Sequence, residues 1–253
     1  KKKKSINKLP FKKFKIKFFK ADITSLKSLS KIKIKKNSIL LHCAGQPSAA
    51  MSFLNPVDDM KKNIEGMLNI INFARANKVH KIIFASTFNV YEENAKTPIL
   101  EEKSNCLPKS LYANSKLAAE NYLRVYASHL GIKWNILRMF NIYGPGQDPK
   151  NKHLGMISIF LNMAKKMTPI QVKGSLKRFR DFIYIDDVTE AWLKVAKDKK
   201  NYNKIYNLGT GKKTSLKELF FIISKVLDKK LVVKELKGTP GDFMGCYSNI
   251  SRI

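Results

Sequence analysis

The sequence predicts an α/β protein built on a doubly wound parallel sheet. Three observations carry this. Apolar runs of strand length alternate with segments of helical period through the first half of the chain. The strand–helix–strand spacings suit βαβ crossovers, which place parallel strands side by side. After Tyr143-Gly144-Pro145-Gly146 the alternation loosens, as it does where a second, smaller unit begins.

Taken in order, residues 15–20 read as a first strand ending at Ala21-Asp22-Ile23, and Ser38 to His42 as a second, stopped by Ala44-Gly45. Met60, Ile64, Met67, Leu68 and Ile71 form a stripe of 3.6-residue period and predict an amphipathic helix. Residues 81–86 are a third strand. A long helix follows Pro108 and runs to about His129, with Gly131 as its stop. Residues 134–140 form the next strand, 156–167 a helix and 170–172 a short strand. Residues 182–185 are extended and hand over to Asp186-Asp187, which suit the cap of a following helix. Residues 205–208 are a late strand. Ser215 with Glu218 makes a capping box for a helix over 216–227.

Composition narrows the function. The chain has 253 residues, 44% of them hydrophobic, enough for a real core. No apolar run approaches the ~20 residues that cross a bilayer, so no membrane partner is expected. Cys43, Cys106 and Cys246 are scattered and form no CxxC pair, which fits a reducing cytoplasm. The formal charge is +30, yet only six of the 49 basic residues are Arg, and lysine is spread along the whole chain. That pattern reads as solvated surface with a general pull on anions, not as a nucleic-acid face. The stretch before Pro10 is the only part expected to be disordered. His42, His80, His129 and His153 lack metal-ligand spacing, so no metal is expected. Gly209 to Thr214 hints at a phosphate loop but lacks the glycine and the Ser/Thr that such a loop requires.

Tyr112 and Lys116 carry the chemistry. Four apart on a predicted helix, they share one face. A free tyrosine, with a pKa near ~10, is a poor base, and an ammonium one turn away would lower it. Ala85-Ser86-Thr87 closes a buried strand at the edge where ligands bind, and a hydroxyl there can hydrogen-bond a reacting group alongside the tyrosine.

Five motifs occur in order: Ala85-Ser86-Thr87-Phe88-Asn89-Val90-Tyr91, Tyr112-Ala113-Asn114-Ser115-Lys116, Leu137-Arg138-Met139-Phe140-Asn141-Ile142-Tyr143-Gly144-Pro145-Gly146, Arg180-Asp181-Phe182-Ile183-Tyr184-Ile185-Asp186-Asp187, and Tyr206-Asn207-Leu208-Gly209-Thr210-Gly211. From about Ile16 to its end, the chain resembles the extended short-chain dehydrogenase/reductase family of NAD-dependent nucleotide-sugar epimerases and dehydratases. The resemblance implies a Rossmann-like fold and a NAD-dependent 4-epimerase of a UDP-sugar that oxidises C4 transiently. It makes Thr87, Tyr112 and Lys116 the catalytic residues. It puts Asp22 and Ile23 at the adenine, and Cys43, Ala44 and Gly45 under the phosphate and ribose. Asn63, Ala85, Ser86, Tyr112, Lys116 and Phe140 also line the cofactor. Thr87, Asn141 and Arg180 would hold the substrate, Arg180 as a fork on the diphosphate. Asn63 stands out because it lies on the apolar stripe, an odd place for an amide without a partner.

The same resemblance implies residues 11–150 and about 183–210 in a dinucleotide-binding domain, and 151–182 and 211–253 in a smaller C-terminal substrate-binding domain. It also implies a first βαβ unit with a GxxGxxG turn that is missing here, and a pattern that continues past Ile253, so the chain is expected to be clipped at both ends. Relatives that dehydrate or decarboxylate carry Glu or Asp-Glu just before the Val-Tyr, where this chain has Phe88-Asn89. A dehydratase or decarboxylase, a non-catalytic dinucleotide-binding fragment and a basic nucleic-acid binder are the alternatives. A homodimer through a four-helix interface of 59–77 and 111–129 is implied by resemblance as well.

Overall fold

The computed structural model describes residues 16–93, 95–147, 155–238 and 244–253. The stretch before Pro10, and Lys15, lie outside these. A four-stranded parallel sheet forms the centre, in the order β1 (Ile39–His42), β2 (Lys81–Thr87), β3 (Lys133–Met139), β8 (Lys204–Leu208). Register is continuous across it: His42 stands beside Phe84, Thr87 beside Met139, and Met139 beside Leu208. The ends of all four strands therefore share one edge.

Along β2, alternate side chains point to opposite faces. Ile82 and Phe84 pack with Trp134 and Ile136 beneath two helices, through Met67, Ile71 and Ala74 of α3 and Ala119, Leu123 and Ala127 of α4. Here α3 spans 56–76 and α4 spans 111–127. On the other face, Ile83 and Ala85 pack with Leu137, Tyr206 and Leu208 against Val188, Trp192 and Val195 of α6 (Ile185–Lys197). Both faces are covered, which is why β2 is buried throughout and its middle, Ile82 to Ala85, is apolar without a break. The short helices α1 (Leu26–Ser30) and α2 (Ala49–Leu54) flank β1 in sequence.

A third cluster stands apart. Phe160 and Ala164 of α5 (Met156–Lys165) meet Ile170 and Val172 of β5 (Ile170–Lys173) and Leu216, Leu219, Phe220 and Ile223 of α7 (Leu216–Leu227). Strand β10 (Val233–Leu236) pairs parallel with β5. Four short strands lie between this cluster and the main sheet. Of these, β4 (Asn141–Tyr143) pairs with β7 (Phe182–Tyr184), while β6 (Phe179–Arg180) runs antiparallel to β9 (Thr214–Ser215). Ser215 caps α7 by accepting from the Glu218 amide at 3.1 Å.

Two expected elements differ. Residues 16–20 form no strand, and Ile16, Phe18 and Phe19 are exposed. A strand needs a neighbour for its ladder, and among the described residues no strand pairs with this segment. Asp186 and Asp187 do not cap α6 either. Tyr184 occupies the cap without a side-chain bond, and both acids fall in the first turn. There they complement the helix dipole instead.

No helix among the described residues is long and apolar enough to cross a membrane.

Candidate functional site

The site forms where β2 and α4 converge. Ser110 accepts from the Ala113 amide at 3.1 Å and so starts α4 one residue before Tyr112. The Tyr112 amide donates to Ser52 Oγ at 2.9 Å, which seats this first turn against α2. The Tyr112 side chain is buried, and burial pushes its hydroxyl up to about 12, against an opposing pull from Thr87. Thr87 ends β2 and caps the turn Phe88–Val90, accepting from the Asn89 amide at 3.2 Å.

Lys116 is also buried, and its ammonium lies 4.1 Å from the centre of the Phe84 ring. Burial pushes it down to about 8, against the negative pull of Glu120, Cys43 and Asp59. The expected depression of Tyr112 by Lys116 is not how this geometry works. Lys116 reaches over Phe84 on β2, while Tyr112 faces Thr87, so burial governs both groups. Among the described residues, no acceptor meets the Lys116 ammonium.

Around this pair the exit of β1 is shaped by a polar network. Asn63 lies in the π-helical turn Lys61–Glu65 of α3. That extra residue slips the apolar stripe, leaving Asn63 buried and Ile64 half-buried. The partner that the amide requires is in fact a set. Asn63 Nδ2 donates to Ser115 Oγ at 2.9 Å, to Gln46 O at 3.1 Å and to Asp59 Oδ1 at 3.1 Å. Its oxygen accepts from the Gln46 amide at 3.0 Å. Gln46 Nε2 also donates to Asp59 Oδ1 at 2.7 Å. Burial raises the Asp59 carboxyl.

Gly45 has φ +157, and a Cβ there would lie 2.6 Å from Asn63 Oδ1. Only glycine lets the backbone pass this close, so Cys43, Ala44 and Gly45 keep an exposed edge above the network. His42, just before them, stacks on Phe84 at 5.5 Å and is pushed down to about 3 by burial. Gln46, Asp59, Ser115 and His42 went unread in the sequence. The i, i+4 spacing of Asp59 and Asn63 was the available signal.

The remaining predicted residues divide. Asp22 is exposed and accepts from Thr24 N and Oγ1, both at 2.9 Å, which holds its carboxyl below the usual pKa. Ile23 packs over Gly66 of α3, where a Cβ would meet its Cδ1 at 2.8 Å, and its carbonyl accepts from Asn69 at 2.9 Å. Ala85 and Ser86 are buried, Ala85 under α6 and Ser86 donating to Glu120. Phe140 stacks on Phe88 at 5.1 Å. Asn141 donates through N and Nδ2 to Asp181 O at 3.0 and 3.2 Å.

Arg180 is 5% exposed. Its Nη1 donates to Phe179 O at 2.7 Å and to Met244 O at 3.4 Å. Burial first, then the like charge of Arg178, pushes it down to about 10. Two clefts of about 360 and 340 Å³ lie elsewhere, one along the end of α7 and one beside Glu101 and Arg252. Neither holds any of the predicted site residues.

The sequence profile of the NAD dependent epimerase/dehydratase family matches residues 1–209. A Methanocaldococcus jannaschii protein assigned as a UDP-glucose 4-epimerase is 40% identical over 211 residues, covering 83% of this chain and 67% of that protein. The solved UDP-glucose 4-epimerase of Thermotoga maritima with UDP-glucose has a TM-score of 0.84 at 30% identity, covering 93% of this chain and 76% of that chain. The Thermus thermophilus UDP-glucose 4-epimerase in complex with NAD gives 0.83 at 31% identity and the same coverages. Further relatives are named as a dTDP-4-dehydro-6-deoxyglucose reductase and a dTDP-D-glucose 4,6-dehydratase.

Proposed function

We propose, on the premise that this chain belongs to the NAD-dependent epimerase/dehydratase family, that it is a nucleotide-sugar 4-epimerase acting on a UDP-sugar. Its cofactor is NAD. The residues present fit that group. Gly45 keeps a cradle that a Cβ would fill, and the Lys116 ammonium beside Phe84 is a donor from which ribose hydroxyls can accept. Asp22 and Ile23 would hold the adenine end. Cys43 to Gly45 and Asn63 would hold the middle, and Lys116 and Phe140 the nicotinamide end. When bound, NAD supplies hydride acceptance and return at one sugar carbon.

The chain's own residues then handle the proton. Tyr112 takes it from the C4 hydroxyl and later returns it. Thr87 hydrogen-bonds the same oxygen. Lys116 contributes positive charge beside them. Asn141 and Arg180 would grip the nucleotide diphosphate and so fix the ring while its face changes.

One observation favours epimerisation over elimination or decarboxylation. The two residues between Thr87 and Val90 offer no acid or base. Phe88 is buried against Phe140, and Asn89 turns its amide to Thr87. Glu92 and Glu93, the next carboxylates, face the following loop: Glu92 N donates to Asn105 O at 3.0 Å, and Glu93 lies 4.0 Å from Lys109. No carboxylate is therefore offered to the neighbouring sugar carbons from this turn. The full-length protein, incubated with UDP-glucose, UDP-N-acetylglucosamine and UDP-glucuronate, is expected to give an isomer of unchanged mass. Loss of water or carbon dioxide from any of them would overturn the reading.

Arg180→Ala is expected to raise KM for the nucleotide sugar by about one to two decades, the scale of a charge-assisted bidentate contact of ~1.5–3 kcal/mol. Because Arg180 also ties Phe179 to Met244, the melting temperature should fall as well. A lowered melting temperature with unchanged KM would make Arg180 a structural tie only. Exposed Leu54, Val57 and Met60 on one side, and Tyr122 and Val125 on α4, suit pairing with a second copy. Sedimentation of the full-length protein would test that.

A further inference from the structure

Glu120 is 1% exposed in its side chain and lies at the centre of three elements. It is one turn beyond Lys116 and two beyond Tyr112, so all three share a stripe of α4. Its carboxylate accepts from Ser86 Oγ, and Ser86 directly precedes Thr87 on β2. From β3 it accepts Arg138 Nε at 3.1 and 3.3 Å and Arg138 Nη2 at 2.7 Å. The Arg138 guanidinium in turn lies 4.7 Å from the centre of the Tyr91 ring, and the Tyr91 hydroxyl donates to Asn207 at 2.6 Å on β8. One carboxylate thus joins the strand carrying Thr87, the helix carrying Tyr112 and Lys116, and the strand leading to Phe140 and Asn141.

Stability does not explain this arrangement. A buried ion pair is often matched or surpassed by apolar side chains of similar volume. Arg138 Nη1, moreover, is left buried without a partner, an uncompensated loss. What the pair provides that packing would not is a directional register between strand and helix.

We propose that Glu120, through Ser86 and Arg138, is a positioning residue that sets the Thr87 hydroxyl against Tyr112 and Lys116. This rests on the catalytic reading of those three residues. Removing it should leave fold and ligands in place while slowing the chemical step, since a misplacement of about 1 Å costs on the order of 100-fold.

Glu120→Gln alone would strand the Arg138 charge and risk misfolding. The test therefore uses the full-length protein with Glu120→Met and Arg138→Met together, which restores apolar packing, and separately Ser86→Ala. The double variant is expected to melt near wild type or above, to release NAD on denaturation, and to keep KM. Its kcat should fall on the order of 100-fold. Ser86→Ala, which spares the ion pair, should fall by roughly tenfold. A double variant with kcat within about threefold of wild type overturns the proposal. So does one that loses turnover only together with its NAD or its melting transition. Tyr112→Phe is run alongside. If it retains turnover, the catalytic reading itself has failed. If it is inactive while the double variant is fast, only the positioning role has.

Discussion

With Phe in place of Tyr112, the full-length protein is expected to lose turnover by about 100- to 10,000-fold while keeping its bound NAD. The phenolic hydroxyl is the only part removed. The ring stays buried and the Tyr112 amide still donates to Ser52, so the first turn of α4 keeps its place. Loss of one buried hydroxyl contact costs ~1 kcal/mol of stability, far less than the loss in rate. The proton's route is what disappears. Burial holds the hydroxyl at about 12, so it is protonated in the free protein and needs nearby positive charge to act as a base. Turnover at pH 7 and dinucleotide released on denaturation are the two measurements. A variant within tenfold of the wild-type rate would remove Tyr112 from the mechanism.

Much of this site is legible in the sequence because parallel strands and helix spacing impose it. The middle of β2, Ile82 to Ala85, had to be apolar because both faces are covered, and its small polar residues, Ser86 and Thr87, had to mark the edge. Tyr112 and Lys116 had to share a face once Ser110 started the helix. What could not be read depends on long-range meetings or on local irregularity. The burial of Asn63 comes from a π-helical turn that no periodicity announces. Glu120 with Ser86, and Asp59 with Gln46, are carboxylates whose partners lie 34 and 13 residues away. The segment 16–20 has strand composition, but pairing depends on a neighbour, which composition does not encode. The direction of the Lys116 ammonium, over Phe84, is likewise a matter of packing between α4 and β2.

Asp181 is the sharpest instance of a role that motif matching hides, and its removal should be the largest blow to stability. In sequence it follows Arg180 and looks like that arginine's ion-pair partner. In the fold its side chain is fully buried and accepts five hydrogen bonds. Thr210 gives two, from N and Oγ1, both at 2.7 Å, and the Gly211 amide gives one at 3.1 Å. Ser248 gives the others, from N at 3.1 Å and Oγ at 2.6 Å. This carboxylate therefore pins the turn after β8 and the 244–249 segment to the start of β7. Gly209 is fitted to the same point, since a Cβ there would lie 2.4 Å from both Asp181 Oδ2 and Ser248 Oγ. Asp181→Ala would leave three amides and two hydroxyls without their acceptor. The hydroxyls can turn to other partners, but the buried amides cannot, which sets the expected loss at ~3–5 kcal/mol. For a chain of this size that lowers the melting temperature by roughly 6–20 °C. Asp181→Asn should recover only part of it, because one carboxylate oxygen becomes a donor aimed at donors. Arg180 donates to Met244 O in the segment that Asp181 pins, so KM for the nucleotide sugar should rise along with the loss of stability. A thermal scan with NAD in excess decides the matter: an Asp181→Ala variant melting within about 2 °C of wild type would mean that the C-terminal segment is held by other contacts.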